Sequence, residues 1–267
     1  MIKNQLLEDY RKPEDKILLS QILEKYRNSQ DRNKLEYTDF LDMYQIVLVK
    51  NFLKKSEINN YVFYGGFENA ERNIVIFYPN GYEENEIKKE YINMCKIIRI
   101  TLSEEERGKY THRNYLGGIV KLGMKREKVG DILVFDDGAD IIVKEETAQV
   151  LKNELQTLKR FENAKIEITD ILKLRKPQTR TEEINIIVPS LRLDNIVSDL
   201  ARTSRSKAVQ IINQERIFVN GQNETKQSKN LKVNDVITIR GKGRFMIKGI
   251  AGTTRSGRTI LVIEKYV

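Results

Sequence analysis

One cysteine, Cys95, and one histidine, His112, stand in 267 residues. No internal disulfide is possible, and one Cys with one His cannot build a structural zinc site. The fold must therefore be held by apolar burial. A chain of this length, enough for two or three domains, can bury a core without such staples. Hydrophobic residues make up 40% of the sequence and charged residues 32%. The charge coexists with regular apolar periodicity, which separates this chain from a disordered one. The opening segment MIKNQLLEDY has no apolar core of a signal peptide. No apolar run approaches the ~18 residues of a membrane span. These features predict a soluble, cytoplasmic protein with no membrane partner.

The periodicity predicts an α+β chain. Pro13, Glu14 and Asp15 suit a first helical turn, and Ile17, Leu18, Ile22 and Tyr26 recur at helical spacing. A second helix is expected from Thr38 to about Lys55, burying Phe40, Leu41, Tyr44, Val47, Leu48 and Leu53. Strands are expected at Tyr61–Tyr64 and Asn73–Tyr78, around Gly65-Gly66, and at Ile97–Leu102. Ser103 and Glu106 have capping-box spacing, and a helix is expected over Arg113–Leu122. Asp137-Gly138 between Ile132–Phe135 and Asp140–Val143 marks a hairpin. A long helix over Glu145–Phe161, with Val150, Leu151, Leu155 and Leu158 on one stripe, leads to a strand at Ile166–Ile168. The expected organisation is a mostly helical part over 1–72, a mixed α/β RNA-recognition-like domain over 73–175, a linker over 174–183, and a small C-terminal domain over 184–267.

The net charge is +9, and all of it lies at one end. From Ile184 onward there are 15 Lys or Arg against 6 Asp or Glu, whereas residues 1–183 carry 32 of each. A neutral body with a basic terminal domain is the electrostatic footprint of a polyanion binder.

Within the basic third, Ser190–Val197 opens a helix that ends near Arg202. Thr203-Ser204 offers N-cap hydroxyls to a second helix, with Arg205 and Lys207 in its first turn. Arg216–Gly221 reads as a strand into an Asn-Gly turn, and Lys232–Arg244 as a strand into a basic glycine loop. A helix N-terminus favours phosphate through its free N–H groups and partial positive charge. Glycines at 241 and 243 permit close approach of a backbone. Ser204, Arg205, Ser206, Lys207, Arg240, Lys242 and Arg244 are thus candidate backbone-contacting residues, reading RNA by shape and charge.

This stretch resembles the ribosomal-protein-S-four type of RNA-binding domain over roughly 185–250. The carriers are Arg192-Leu193-Asp194, Ser204–Lys207, Val219-Asn220-Gly221 and Asp235-Val236-Ile237. The resemblance implies an αL helix pair on a small sheet that binds structured rRNA or tRNA. It implies that Arg192 and Asn220 join the RNA-facing set and that Asp194 orients its arginine neighbour; a salt bridge from Arg192 to Asp194 or Asp199 is the structural alternative. Upstream, Phe63–Arg72, Thr111–Gly118 and Leu122–Ile132 resemble the bacterial YlmH-type proteins. That resemblance implies a factor holding peptidyl-tRNA on a split large ribosomal subunit, in ribosome-associated quality control, while a partner recruits charged tRNA for nascent-chain tailing.

Arg113, Lys125, Arg126 and Lys128 are expected to extend the RNA-binding surface, although the run at 125–128 equally suits a solvated face. His112 has no recognisable nucleophile partner. Asp136-Asp137 with Asp140 is better explained by a turn than by a metal, and Glu104–Glu106 by a helix start than by acid–base chemistry. Tyr61, Phe63, Tyr64 and Phe67 read as core. No glycine-rich cofactor cradle is present. The expectation is a non-enzymatic RNA-binding factor with no cofactor and no metal. The alternatives are an RNA-modifying enzyme targeted by its basic domain, or an adaptor linking a protein partner to ribosomal RNA.

Overall fold

The computed structural model describes residues 7–68, 70–175 and 181–266. Much of the expected linker, residues 176–180, lies outside the described residues, as does Asn69. The chain divides into two compact units, Met1–Pro177 and Gln178–Val267.

In the first unit, helix α1 (Pro13–Arg32) has Pro at its start and acidic residues in its first turn, and ends on Asn33 in the left-handed conformation. Strands β1 (Glu36–Tyr37), β2 (Tyr61–Tyr64) and β3 (Ile74–Phe77) form an antiparallel sheet in the order β1-β3-β2. Helix α2 (Met43–Lys55) begins later than expected, behind a capping box of Asp42 and Gln45. Residues 38–41 are drawn out of the helix by tertiary partners. Phe40 N–H donates to Glu127 O at 2.8 Å, and Leu41 exchanges hydrogen bonds with Asn73. The buried face of α2 is consequently Ile46, Val49, Phe52 and Leu53, while Val47 and Leu48 are only partly covered. The aromatics of β2, with Phe67, pack against apolar clusters, as expected of core residues.

Helix α3 (Glu84–Ile92) leads into a second sheet. Strands β4 (Cys95–Thr101), β5 (Val129–Phe135), β6 (Gly138–Lys144) and β7 (Lys165–Asp170) run antiparallel in the order β5-β6-β4-β7. Helix α4 (His112–Lys121) joins β4 to β5, and α5 (Glu145–Gln156) joins β6 to β7. This is the split βαβ order of an RNA-recognition sheet. Ile98, Ile100, Ile141 and Val143 pack under α4 and α5 against Tyr115, Ile119, Leu151 and Leu155. Three expectations shift here. The Ser103/Glu106 signal yields one 3-10 turn, the helix after β6 ends at Gln156, and Val150 is 57% exposed.

The other face of β4 and β6 is covered as well. Cys95, Ile97 and Ile142 share a cluster with Phe40, Ile74 and Ile76. Lys144 reaches Asp39, and β2 pairs with β3 across residue 72, with Tyr64 opposite Ile74. The expected boundary at 72/73 therefore cuts a hairpin, and the two expected N-terminal domains form one unit with continuous packing.

The second unit is an αL helix pair on a small sheet. Strands β8 (Thr181–Val188), β9 (Ile217–Val219), β10 (Gln222–Asn223), β11 (Val236–Ile239), β12 (Gly243–Thr253) and β13 (Thr259–Tyr266) are ordered β10-β9-β11-β12-β13-β8. Helices α6 (Leu193–Leu200) and α7 (Arg205–Asn213) bury Leu193, Ile196, Val197, Ala208 and Ile212 against Ile217, Ile237, Ile247 and Leu261. The long β12–β13 hairpin extends beyond the last strand read from the sequence.

Candidate nucleic-acid interface

Asp194 is the centre of the helical corner. It stands in the first turn of α6 and is 1% exposed. Arg192, the residue capping α6, donates from Nε and Nη2 to its two oxygens at 3.1 and 2.9 Å. Arg205, the first residue of α7, donates from Nε and Nη2 to Oδ2 at 3.0 and 2.7 Å. One buried carboxylate thus pins two guanidinium groups whose side chains are 38% and 57% exposed. The hydrogen bonds from both arginines hold the Asp194 carboxyl down at about 2, against the smaller opposing effect of burial. The expected Arg192–Asp194 bridge is present, and Arg205 joins it. In each guanidinium Nη1 takes no part in the network, which leaves a donor edge for a phosphate.

The two helix starts differ. The N–H groups of Leu193 and Asp194 donate to Lys229 O and Gln227 O, so the entry to α6 is closed by the protein's own backbone. At α7, Ser204 Oγ accepts from Lys207 N–H at 3.3 Å and contacts Ser206 Oγ at 3.1 Å. Lys207 is exposed, and its ammonium makes no ion pair among the described residues. Beside this corner runs a groove of 660 Å³, walled by Ile187–Pro189 on one side and by Ser198, Arg202, Thr203 and Arg205 on the other.

Asn220 is exposed, and its side chain is engaged within the fold. It adopts φ 52° and Gly221 φ 77° in the two-residue turn between β9 and β10. Its Nδ2 donates to Asp235 at 2.8 Å and its Oδ1 accepts from Val236 N–H at 2.8 Å. Both ends of the amide are engaged in joining β9 to β11.

Arg240, Lys242 and Arg244 lie apart from this corner. The backbone of Arg240 bonds to Arg216, just past the C-terminal end of α7. The nine residues of α7 span about 13 Å, so this turn lies at the opposite end of the helix from Ser204–Lys207. Gly241 and Gly243 do take positive φ there. Lys242 is exposed. Arg244 lies over the Tyr266 ring at 5.1 Å, with its Nε buried and unpaired among the described residues.

In the first unit, Arg113 is exposed on the first turn of α4, and exposed Lys125 sits 3.9 Å from Glu127. Arg126 turns inward: its Nη1 donates to Val129 O and, at 2.8 Å, to Gly130 O. Burial and the neighbouring Arg72 push its pKa down to about 10. Arg126 thus serves the fold, contrary to its expected role on the surface. His112 is exposed as a residue, but desolvation of its ring and the nearby Arg126 place its pKa below the ordinary imidazole value.

The sheet face that RNA-recognition domains use for stacking bases is differently furnished. Its central strands present Cys95, Ile97 and Arg99 from β4 and Asp140, Ile142 and Lys144 from β6, with no aromatic among them. Asp140 is fully buried and binds Arg99 at 2.9 and 2.8 Å and Arg175 at 3.1 and 2.8 Å. Arg175 also grips Asp137 and lies 4.1 Å from the Phe135 ring centre. The acidic turn thus holds arginines. Among the described residues no cluster of His, Cys, Asp or Glu is arranged to hold a metal ion, and no helix is long and apolar enough to cross a membrane.

Two family models match this chain. Residues 94–172 match the family described as "Putative RNA-binding domain in YlmH", and residues 191–237 match the S4 domain. The "Ribosome-associated protein quality control protein P2" of Bacillus subtilis (strain 168) is 26% identical over 264 residues, covering 98% of this chain and 99% of that protein. A solved structure, "Cell division protein ylmH from Streptococcus pneumoniae", is 19% identical with a TM-score of 0.48, covering 62% of this chain and 98% of that one.

Proposed function

This chain is a YlmH-type protein with a C-terminal S4 domain, and from that premise we propose that it is a non-enzymatic factor binding tRNA and large-subunit rRNA in ribosome-associated quality control. In this role it acts in the cytoplasm during nascent-chain tailing on split large subunits, beside a tailing partner that supplies charged tRNA. Support for the pathway comes from the relative named as a quality-control protein, aligned over nearly the whole of both chains.

The observation that carries the RNA-binding reading is the pair of arginines on Asp194 beside the start of α7. A buried anion that fixes two guanidinium planes pre-orients their free edges and lowers the entropy lost on binding a phosphate. Lys207, two residues on from Arg205 in the same first turn, adds a second exposed cation. Such a corner reads backbone shape, as suits a structured RNA. The first unit contributes through its surface cations Arg113 and Lys125, because its sheet face is filled by Asp140, its arginines and the β3 side chains.

Cross-linking and sequencing of bound RNA in the native cell tests the proposal, with Arg205→Ala/Lys207→Ala as the control. Tags concentrated on tRNA and large-subunit rRNA, and lost in the double variant, support it. Diffuse tags, or tags on small-subunit precursors unaffected by the variant, overturn it.

A further inference from the structure

From Arg240 through Ile263 the chain carries six basic residues and no acidic one. The S4 match ends at residue 237, so this segment lies beyond it. Most of the segment is the β12–β13 hairpin. The ladder from β11 to β12 stops at Met246, whereas the ladder from β12 to β13 continues to Thr253. Residues 248–253 therefore have β13 on one side and, among the described residues, no strand on the other. Side chains on both faces are at least partly open, and Ile250 is 52% exposed. Between Ile247 and the turn at 254 the arm extends roughly 20 Å.

The arm is ordered at its tip. Thr254 N–H donates to Arg258 O at 2.8 Å, and Gly257 N–H to Thr254 O at 2.9 Å. Arg258 N–H donates to Thr254 Oγ1 at 3.1 Å. This holds Arg255 and Arg258 on one tight turn, both exposed and without an ion pair among the described residues. An exposed strand edge invites pairing with other chains unless charge or bulges blunt it. Here the register shifts twice, between Ile247 and Gly249 and between Ile250 and Gly252. Gly249, Gly252 and Gly257 have open space where a Cβ would stand, so nothing overhangs the backbone. The one base on this edge, Lys248, is paired with Glu183 and Glu264, so the bulged, glycine-bearing edge disfavours a β-strand partner while the unpaired charge of Arg255 and Arg258 at its end admits close approach of a polyanion.

The topology places this tip beside the helical corner. Thr259, next to Arg258, pairs with Val188, and Val188 lines the groove whose other wall carries Arg202 and Arg205. The basic turn at 240–242 lies at the far end of β12.

We propose that the arm of residues 248–260 is a second RNA contact, with Arg255 and Arg258 binding backbone phosphates of the same structured RNA that the Asp194 corner holds. This rests on the RNA-binding reading above. The two contacts share one compact unit, so the second engages at high effective concentration once the first is bound.

Equilibrium binding of the full chain to bulk tRNA, and to an RNA hairpin with a duplex stem, across a salt series tests the arm. Arg255→Ala/Arg258→Ala is expected to weaken binding at least several-fold and to lower the log–log salt slope by roughly two units. Arg255→Lys/Arg258→Lys is expected to keep most of the slope. An unchanged slope and affinity in the alanine variant, with Arg205→Ala/Lys207→Ala still weakened, overturns the arm alone and leaves its charge to an acidic protein surface. Failure of the wild-type chain to bind either RNA overturns the arm and the corner together. The tip is solvent-exposed, and circular dichroism of each variant confirms that the fold is retained.

Discussion

Arg205 Nη2 lies 2.7 Å from Asp194 Oδ2, joining the first residue of α7 to the first turn of α6 across the helical corner. The Asp194 carboxyl, held at about 2, titrates well below the ordinary carboxylate value of 3.8. A depressed acid contributes stability that is full above its unfolded value and is lost as pH falls through the folded one. The window is therefore about pH 4 to 2. The shift corresponds to about 2 kcal/mol, and exposure of the two arginines reduces this to about 1–2 kcal/mol. Asp194→Asn is expected to destabilise the C-terminal unit by that amount at pH 7 and to flatten its acid response in this window. Amide hydrogen exchange in α6 and α7 against pH measures it. Equal acid sensitivity in wild type and variant would contradict this assignment.

Arg126 and Lys125 are neighbours with opposite expected behaviour. Arg126 donates to two carbonyls of β5 from within the fold, while Lys125 is exposed. Arg126→Ala is expected to lower the stability of the first unit by about 1–3 kcal/mol, because the buried Gly130 carbonyl loses this donor and the Val129 carbonyl is left with Arg72 Nε, and to leave the salt slope of RNA binding unchanged. Lys125→Ala is expected to leave stability within about 0.5 kcal/mol. Urea melts and salt titrations of the two variants separate these roles. A slope that falls in Arg126→Ala without loss of stability would return this arginine to the RNA surface.

What could be read from the sequence was local. The αL pair is legible because Ser204 capping, the apolar positions of α6 and the Asn220-Gly221 turn all lie within a few residues of what they specify. The bond from Asn220 to Asp235 is not legible, because its partner lies fifteen residues on. Residues 38–41 carry helical spacing, yet Glu127 and Asn73 draw them into an extended segment. Helix α3 offered only Ile87 and Tyr91 as buried residues among nine, too few for a periodic stripe. Residues 248–253 of β12 are at least partly open on both faces, so this half of the strand lacks the apolar–polar alternation that marks a half-buried strand. The arginine cluster on Asp140 is not legible in the sequence, because Arg99 and Arg175 are 41 and 35 residues from it in the chain.

Gly138 follows the two-residue turn Asp136-Asp137, opening β6 opposite Phe135. Its φ is 146°, and an added Cβ would stand 1.8 Å from Ile100 O on the adjacent strand. Neither β4 nor β6 can yield without parting the centre of the sheet. Gly138→Ala is expected to cost more than about 2 kcal/mol, with a lower urea midpoint for the first unit and unchanged melting of the C-terminal unit. A midpoint equal to wild type would show that this sheet tolerates a side chain there.

Cys95 opens β4 between the two layers of the first unit and is 0% exposed. Burial pushes its thiol up to about 12, with Lys144 opposing only weakly. Thiolate is the reactive form, so both access and ionisation are denied in the folded chain. Ellman's reagent at pH 8 is expected to find no reactive thiol in the native protein and one in urea. Cys95 belongs to a buried apolar cluster with Ile76, Ile97 and Ile142, so Cys95→Ser is expected to destabilise the unit by about 1–3 kcal/mol. Cys95→Ala, which brings no hydroxyl, is expected to cost less. Rapid labelling of the native thiol would mean that the packing between β3 and β4 opens far more readily than its burial implies.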